Sequence, residues 1–266
     1  MVVDADRLRQ ILVVAGFIFS IVLNGAANAL PLNGQTTAEI SDRFRVYVVP
    51  AGYVFAIWGL IYLGQLAFVV QTLRPSRLRD PLLRSLGLLP ALGALLNGLW
   101  IVAWHYEIFP LSVVIMVGLL GTLIAIYRAG GFDWSARYGS GARLDNRWLV
   151  QVPFSLYLGW ITVATIANVA SVGEWANVPT FGVPEELIAA VVLAIGLVIA
   201  AVVMVRTFDA TYGAVIVWAY AGIFVKESAT PFVSWVAAIS VLLMIVLVVW
   251  ALVRPPRARP TGALRA

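Results

Sequence analysis

Side chains able to carry acid–base, nucleophilic or metal chemistry are few in this sequence and poorly placed for it. Cysteine is absent, which removes thiol nucleophiles, disulfides and thiolate-held zinc or iron–sulfur centres. A single histidine, His105, cannot build a multi-histidine metal site. It stands in Trp104-His105-Tyr106-Glu107 at the outer end of an apolar run. There it reads as a solvated interface residue or, on the sharper reading, as an axial ligand to a porphyrin metal or a pH sensor. The only lysine, Lys226, lies beside Glu227 near an interface, whereas a retinal Schiff base needs a buried amine. No carboxylate falls in the middle of an apolar run, which argues against a proton-coupled pump. Phosphate-loop, zinc-protease and serine-hydrolase motifs are missing. No catalytic or metal-binding residue is assigned, and the chain is not read as an enzyme.

What the sequence concentrates instead is amides and indoles. Asn24 and Asn28 are four apart, on one face of a first helix. Trp58 and Tyr62 share a face of a second, Asn97 and Trp100 lie near the outer end of a third, and Trp160, Thr165 and Asn168 climb a fifth. All fall in the outer half of their segments, beneath an outer loop over residues 31–49. One reading is a pocket with rigid aromatic walls, a few amide donors and acceptors, and a loop as lid, suited to a flat, largely apolar ligand. The other is that the asparagines clamp helices together and the tryptophans merely pack. Trp104, Trp134, Trp148, Trp175, Trp235 and Trp250 lie near helix ends and read as headgroup-level anchors, while Trp218 fits either role.

The elements that must position these groups follow from composition. Of 266 residues, 62% are hydrophobic and 12% charged, against roughly 45–50% and about 25% in soluble domains. That marks an all-α integral membrane protein and leaves no room for a nucleic-acid binder. A spanning helix needs about 20 apolar residues, and eight segments qualify, near 11–30, 51–72, 84–104, 109–127, 149–171, 185–205, 210–226 and 232–253, the seventh being the shortest. With the N-terminus in the cytoplasm, fifteen Lys and Arg residues fall inside and three outside, so both termini are expected there. Arg7, Arg9, the apolar run and Ala27-Asn28-Ala29 mimic a secretory signal, but the segment is read as a genuine first span. Segment 128–147, with Gly130-Gly131 and Gly139-Ser140-Gly141, reads as a flexible cytoplasmic loop, and 254–266, opened by Pro255-Pro256, as a cytoplasmic tail. Seventeen of the eighteen basic residues are arginine, which points to a GC-rich bacterial genome and hence a bacterial inner membrane.

Three stretches resemble the TspO/MBR family, the tryptophan-rich sensory proteins that include the mitochondrial translocator protein. Pro50 through Tyr62, with the proline eight before Trp58 and the tyrosine four after it, is similar to the family's second helix. Leu96-Asn97-Gly98-Leu99-Trp100 resembles L-N-x-x-W of the third, and Trp160-Ile161-Thr162-Val163-Ala164-Thr165-Ile166-Ala167-Asn168 resembles the family pattern of the fifth. The likeness covers about residues 10–171. The resemblance implies a five-helix domain over 1–171, followed here by a three-helix membrane extension over 172–253. It also implies a cavity near one membrane face, closed by the loop after the first helix, that binds porphyrins, haem or other flat hydrophobic molecules. Trp58, Asn97, Trp100, Trp160, Thr165 and Asn168 are the residues carried over. Ala56 and Leu156 stand where the family usually has proline, and the sterol-recognition pattern after the fifth helix is missing. The expected function is a membrane sensor or carrier with a hydrophobic small molecule and lipid as partners and no obligatory cofactor. The alternatives are an accessory subunit of a larger membrane complex, a homodimer, and an enzyme using tryptophan-assisted photochemistry on a bound tetrapyrrole.

Overall fold

A computed structural model describes residues 4–30, 32–132 and 146–254. The expected glycine-rich loop over 133–145 and the tail from 255 onward lie outside them. Among the described residues the chain is helical without strands, in eight long helices: α1 (Ala5–Ala29), α2 (Ile57–Thr72), α3 (Leu89–His105), α4 (Phe109–Ala129), α5 (Val152–Trp175), α6 (Glu185–Thr207), α7 (Ala210–Lys226) and α8 (Pro231–Val253). Six, counting the 3-10 turn that leads into α2 and the π turn that leads into α5, are long and apolar enough to cross a membrane; α3 and α7 are shorter. At 1.5 Å per residue their 17 residues reach about 25 Å, just under the hydrocarbon thickness. The chain is thus a polytopic helical membrane protein.

Local chemistry sets the boundaries. Proline occupies the first turn of α3, α4 and α8, where its missing N–H leaves no bond unmade, and Pro153 follows the π turn Arg147–Gln151 that leads into α5. The third span begins later than its expected start at residue 84. Gly87 takes φ 54° and ends a separate short helix, Pro81–Leu86, before α3 starts at Leu89. That positive φ is open to glycine at little cost. The short turn between α6 and α7 is held by Asp209. Its fully buried carboxylate accepts the backbone N–H groups of Thr211 and Tyr212 and the Tyr127 hydroxyl, each at 3.0 Å, and so ties α4 to the head of α7.

In the first five helices α1 packs on α3, α3 on α4, α4 on α5, and α2 on α5. Close approach is made by small residues, as expected where lipid supplies no hydrophobic drive between helices. Gly16 faces the Ala91 backbone of α3, and Gly64 of α2 faces Pro153 of α5. At the lid-distal end Arg84 and Arg9 grip the Asp6 carboxylate, joining the first turn of α1 to the α2–α3 connection.

The last three helices form a triangle, α7 on α8 and α8 on α6, and α7 lies against α5. At its lid-side end α7 docks on the turn before α2. Ala51 N–H donates to the Gly222 carbonyl at 3.2 Å, and the Trp218 indole donates to the Val54 carbonyl at 3.0 Å. Gly222 is buried there, and a Cβ on it would overlap the Val54 side chain and stand 3.2 Å from Pro50. Gly222→Val is therefore expected to destabilise the detergent-solubilised protein by about 1–3 kcal/mol through overpacking. Gly59→Val, whose added Cβ meets nothing within 4 Å, is the near-neutral control in the same thermal unfolding measurement.

Candidate ligand site: an aromatic hollow beneath a latched loop

The side chains of Trp58, Trp100, Trp104 and Trp160 meet in one array. Trp58 stacks on Tyr62 (5.4 Å between centroids) and on Trp100 (6.5 Å), and meets Trp160 edge to face at 6.1 Å. Trp100 stacks in turn on Trp104 at 5.9 Å. These are the offset and T-shaped geometries that ring quadrupoles favour. The array borders a hollow with two lobes. The larger, about 230 Å³, lies between Asn24 and Asn28 of α1, Trp58 and Tyr62 of α2, Ile101 of α3 and the loop residue Thr37. The smaller, about 40 Å³, is walled by Trp100, Trp104, Trp160 and Asn168 under Ser41 and Pro50. Thr37, Phe55 and Trp58 line both lobes.

The loop after α1 is fastened over this hollow. Its short helix Thr37–Asp42 starts with a reciprocal cap in which Thr36 N–H donates to the Glu39 carboxylate and Glu39 N–H to the Thr36 hydroxyl. The Thr36 bonds hold the Glu39 carboxyl below its ordinary range. His105 is the latch. It is fully buried, its Nδ1 donates to the Leu32 carbonyl, and its Nε2 accepts from the Thr37 hydroxyl, both at 3.1 Å. Asn33 donates to the His105 carbonyl at 3.0 Å, and Arg43 pairs with Glu107 at 2.9 Å. Phe44 packs on Trp104 and Phe109. The expectation of a solvated His105 is thereby corrected, and the ring has no nitrogen left for a haem iron.

Burial decides which polar groups are structural. Asn97 lines neither lobe. Its carbonyl oxygen accepts from the Ser20 hydroxyl at 2.6 Å and from Asn24 Nδ2 at 2.8 Å, which makes it a clamp between α1 and α3. Asn28 lines the larger lobe and donates to the Asn24 carbonyl. Asn168 accepts the Trp100 indole at 3.4 Å and donates to Ser112 at 3.0 Å, linking α3, α4 and α5 at the wall of the smaller lobe. Thr165 does not join this group. Its hydroxyl turns back to the Ile161 carbonyl at 2.6 Å, and it lines a different groove on the far side of α5. Trp104, expected as an interface anchor, is 2% exposed and belongs to the hollow. Its spacing of four from Trp100, which puts both rings on one face, was the available signal. Thr37, Ser41 and Phe55 also line the hollow, and loop residues of these types gave no such signal. Trp148, Trp175, Trp235 and Trp250 remain well exposed, as anchors should.

Three buried donors at the hollow have no hydrogen-bond partner among the described residues: the indole N–H groups of Trp104 and Trp160, and the Tyr62 hydroxyl. An orphaned buried donor costs about 1–3 kcal/mol, so an acceptor brought by a ligand would recover that cost. Asn97 also has an unpartnered Nδ2, but it lines neither lobe and its oxygen is engaged by Ser20 and Asn24 of α1. Asn97→Leu is expected to lower stability by about 1–3 kcal/mol, since Ser20 and Asn24 lose a buried acceptor. It should leave binding in the hollow within about twofold, as a double readout of melting and ligand titration would record; a large loss of binding at unchanged stability would make Asn97 a contact residue.

Comparison with known proteins supplies one finding. A sequence model of the TSPO-like protein family matches residues 10–250, through all eight helices. No curated protein and no solved structure matches the chain. With nine-tenths of its length matched, and with the hollow lined by Trp58, Trp100 and Trp160 from the stretches that carry the likeness, the chain belongs to the TSPO-like family.

Proposed function

We propose that this protein is a membrane sensor or carrier that takes porphyrin-like or other flat hydrophobic molecules into the aromatic hollow. The observation that carries the reading is the pair of unpartnered indole donors, on Trp104 and Trp160, set among stacked rings under a latched loop. Ring faces offer dispersion and stacking to a planar π system. The free N–H groups and the Tyr62 hydroxyl select a ligand with acceptors at its edge. Neither lobe reaches the roughly 300 Å³ of a pocket for a drug-sized ligand, so entry of a macrocycle requires the 32–49 loop to lift from His105. No acid–base pair flanks the hollow, and the role proposed is binding rather than catalysis.

Titrating the detergent-purified protein with protoporphyrin while following tryptophan fluorescence tests this. Saturable quenching is expected, with most of it lost in the Trp58→Phe, Trp160→Phe double variant. Trp104→Phe, which keeps a ring but removes a donor, is expected to weaken binding about tenfold. Saturable quenching that survives in the double variant would move the ligand elsewhere, and co-purification with fixed partners without quenching would favour an accessory subunit. A product formed only under light would instead point to an enzyme.

The finer topology proposed with this function is eight crossings of a bacterial inner membrane, α3 and α7 included, with both termini cytoplasmic and the hollow facing away from the cytosol. It rests on the fifteen-to-three division of basic residues. A reporter fused after Ala266 that is active only in the cytoplasm is expected; activity on the other side would remove a crossing.

A further inference from the structure

A second hollow, of about 450 Å³, lies between α5 and α6 at the end of the bundle that carries the lid, and shares no lining residue with the aromatic one. Its walls are aliphatic, from Val48 of the loop, Ile166 and Val169 of α5, and Ile188 and Val192 of α6. Its charges come from Arg45 in the loop, Glu174 in the last turn of α5 and Glu185 in the first turn of α6. All three are exposed, and none forms an ion pair among the described residues. The neighbouring Trp175 is 45% exposed, at the helix-end level where an amphipathic ring meets headgroups. The site therefore has an apolar slot running into the bilayer and one positive and two negative groups at the surface end.

We propose that this groove binds one phospholipid with a primary-amine zwitterionic headgroup, of the phosphatidylethanolamine class. Arg45 pairs with the phosphate, for which its planar fork of donors is suited. Glu174 and Glu185 accept the ammonium hydrogens, and one acyl chain lies along Ile166, Val169, Ile188 and Val192. Charge complementarity selects this lipid. A phosphatidylglycerol headgroup brings a negative charge and no positive one, so the two carboxylates repel it. A phosphatidylcholine headgroup has no N–H to give them, because its nitrogen is fully methylated. The groove needs α6, which the five-helix unit lacks, and its occupant contacts the loop at Arg45 to Val48, directly beside Val49 and Pro50 at the roof of the aromatic hollow. The proposal is independent of what the aromatic hollow binds.

The test is native mass spectrometry of the full chain in detergent containing equimolar dioleoyl phosphatidylethanolamine, phosphatidylcholine and phosphatidylglycerol. One retained phosphatidylethanolamine is expected, about tenfold favoured over either competitor. Arg45→Gln should cut retention of all three lipids. Glu174→Gln with Glu185→Gln should erase the preference for the ethanolamine lipid and raise phosphatidylglycerol. These exposed positions leave the fold intact, which unchanged melting and unchanged protoporphyrin quenching would register separately. Equal retention of the three lipids, or the same preference in the charge variants, overturns the proposal.

Discussion

The need to pair buried polar groups where no water reaches them governs this structure. In a membrane interior an amide or indole without a partner is costly, and this chain carries its polar groups in the middle of apolar helices. Asn97 meets Ser20 and Asn24, which sets α1 against α3. Asn168 meets Ser112 and Trp100, which sets α5 against α4 and α3. Those bonds hold α1, α3, α4 and α5 together, and Trp58 of α2 packs its ring against Trp100 and Trp160 of that group. The hollow is what remains between large rigid rings that cannot close completely, and the donors left over on Trp104 and Trp160 give it a preference for acceptors.

The same logic explains the loop. A segment over the end of a bundle must satisfy its own backbone, and residues 32–49 do so with a capped short helix and a set of bonds to the last turn of α3. Both nitrogens of His105 serve that purpose, so the one histidine that could have been an axial ligand is the latch of the loop. The polar ties that hold the loop are joined by apolar ones, since Phe44 packs on Trp104 and Phe109 and Ile40, Val48 and Val49 are buried.

Helices α6 to α8 extend the bundle and contribute no residue to the lining of the aromatic hollow. Among them α7 reaches its surroundings, packing Val215 on Gly159 beside Trp160 and bonding through Gly222 and Trp218 to the turn that delivers Phe55 and Trp58. That contact stiffens one wall of the hollow from behind. The family match runs on through these helices to residue 250.

The motif stretches around Trp58, Trp100 and Trp160 carried the likeness to the family, while composition and the spacing of apolar runs determined a polytopic helical membrane protein and the four helices that carry the indoles and amides. Those features are legible because bilayer thickness dictates helix length and because a polar residue stands out in an apolar run. Tertiary structure alone decided which way each side chain points. These helices are apolar on nearly every side, so no amphipathic stripe reveals their rotation. Hence Trp104 and His105, read as interface residues, turned out buried, Thr165 faced away from the hollow across α5, and Asn97 proved to be a clamp behind it. The late start of α3 hung on the backbone angle of Gly87, and the burial of Asp209 on the neighbours that α4 and α7 bring to it. A residue's neighbours across a helix interface come from distant parts of the chain, and only packing brings them together.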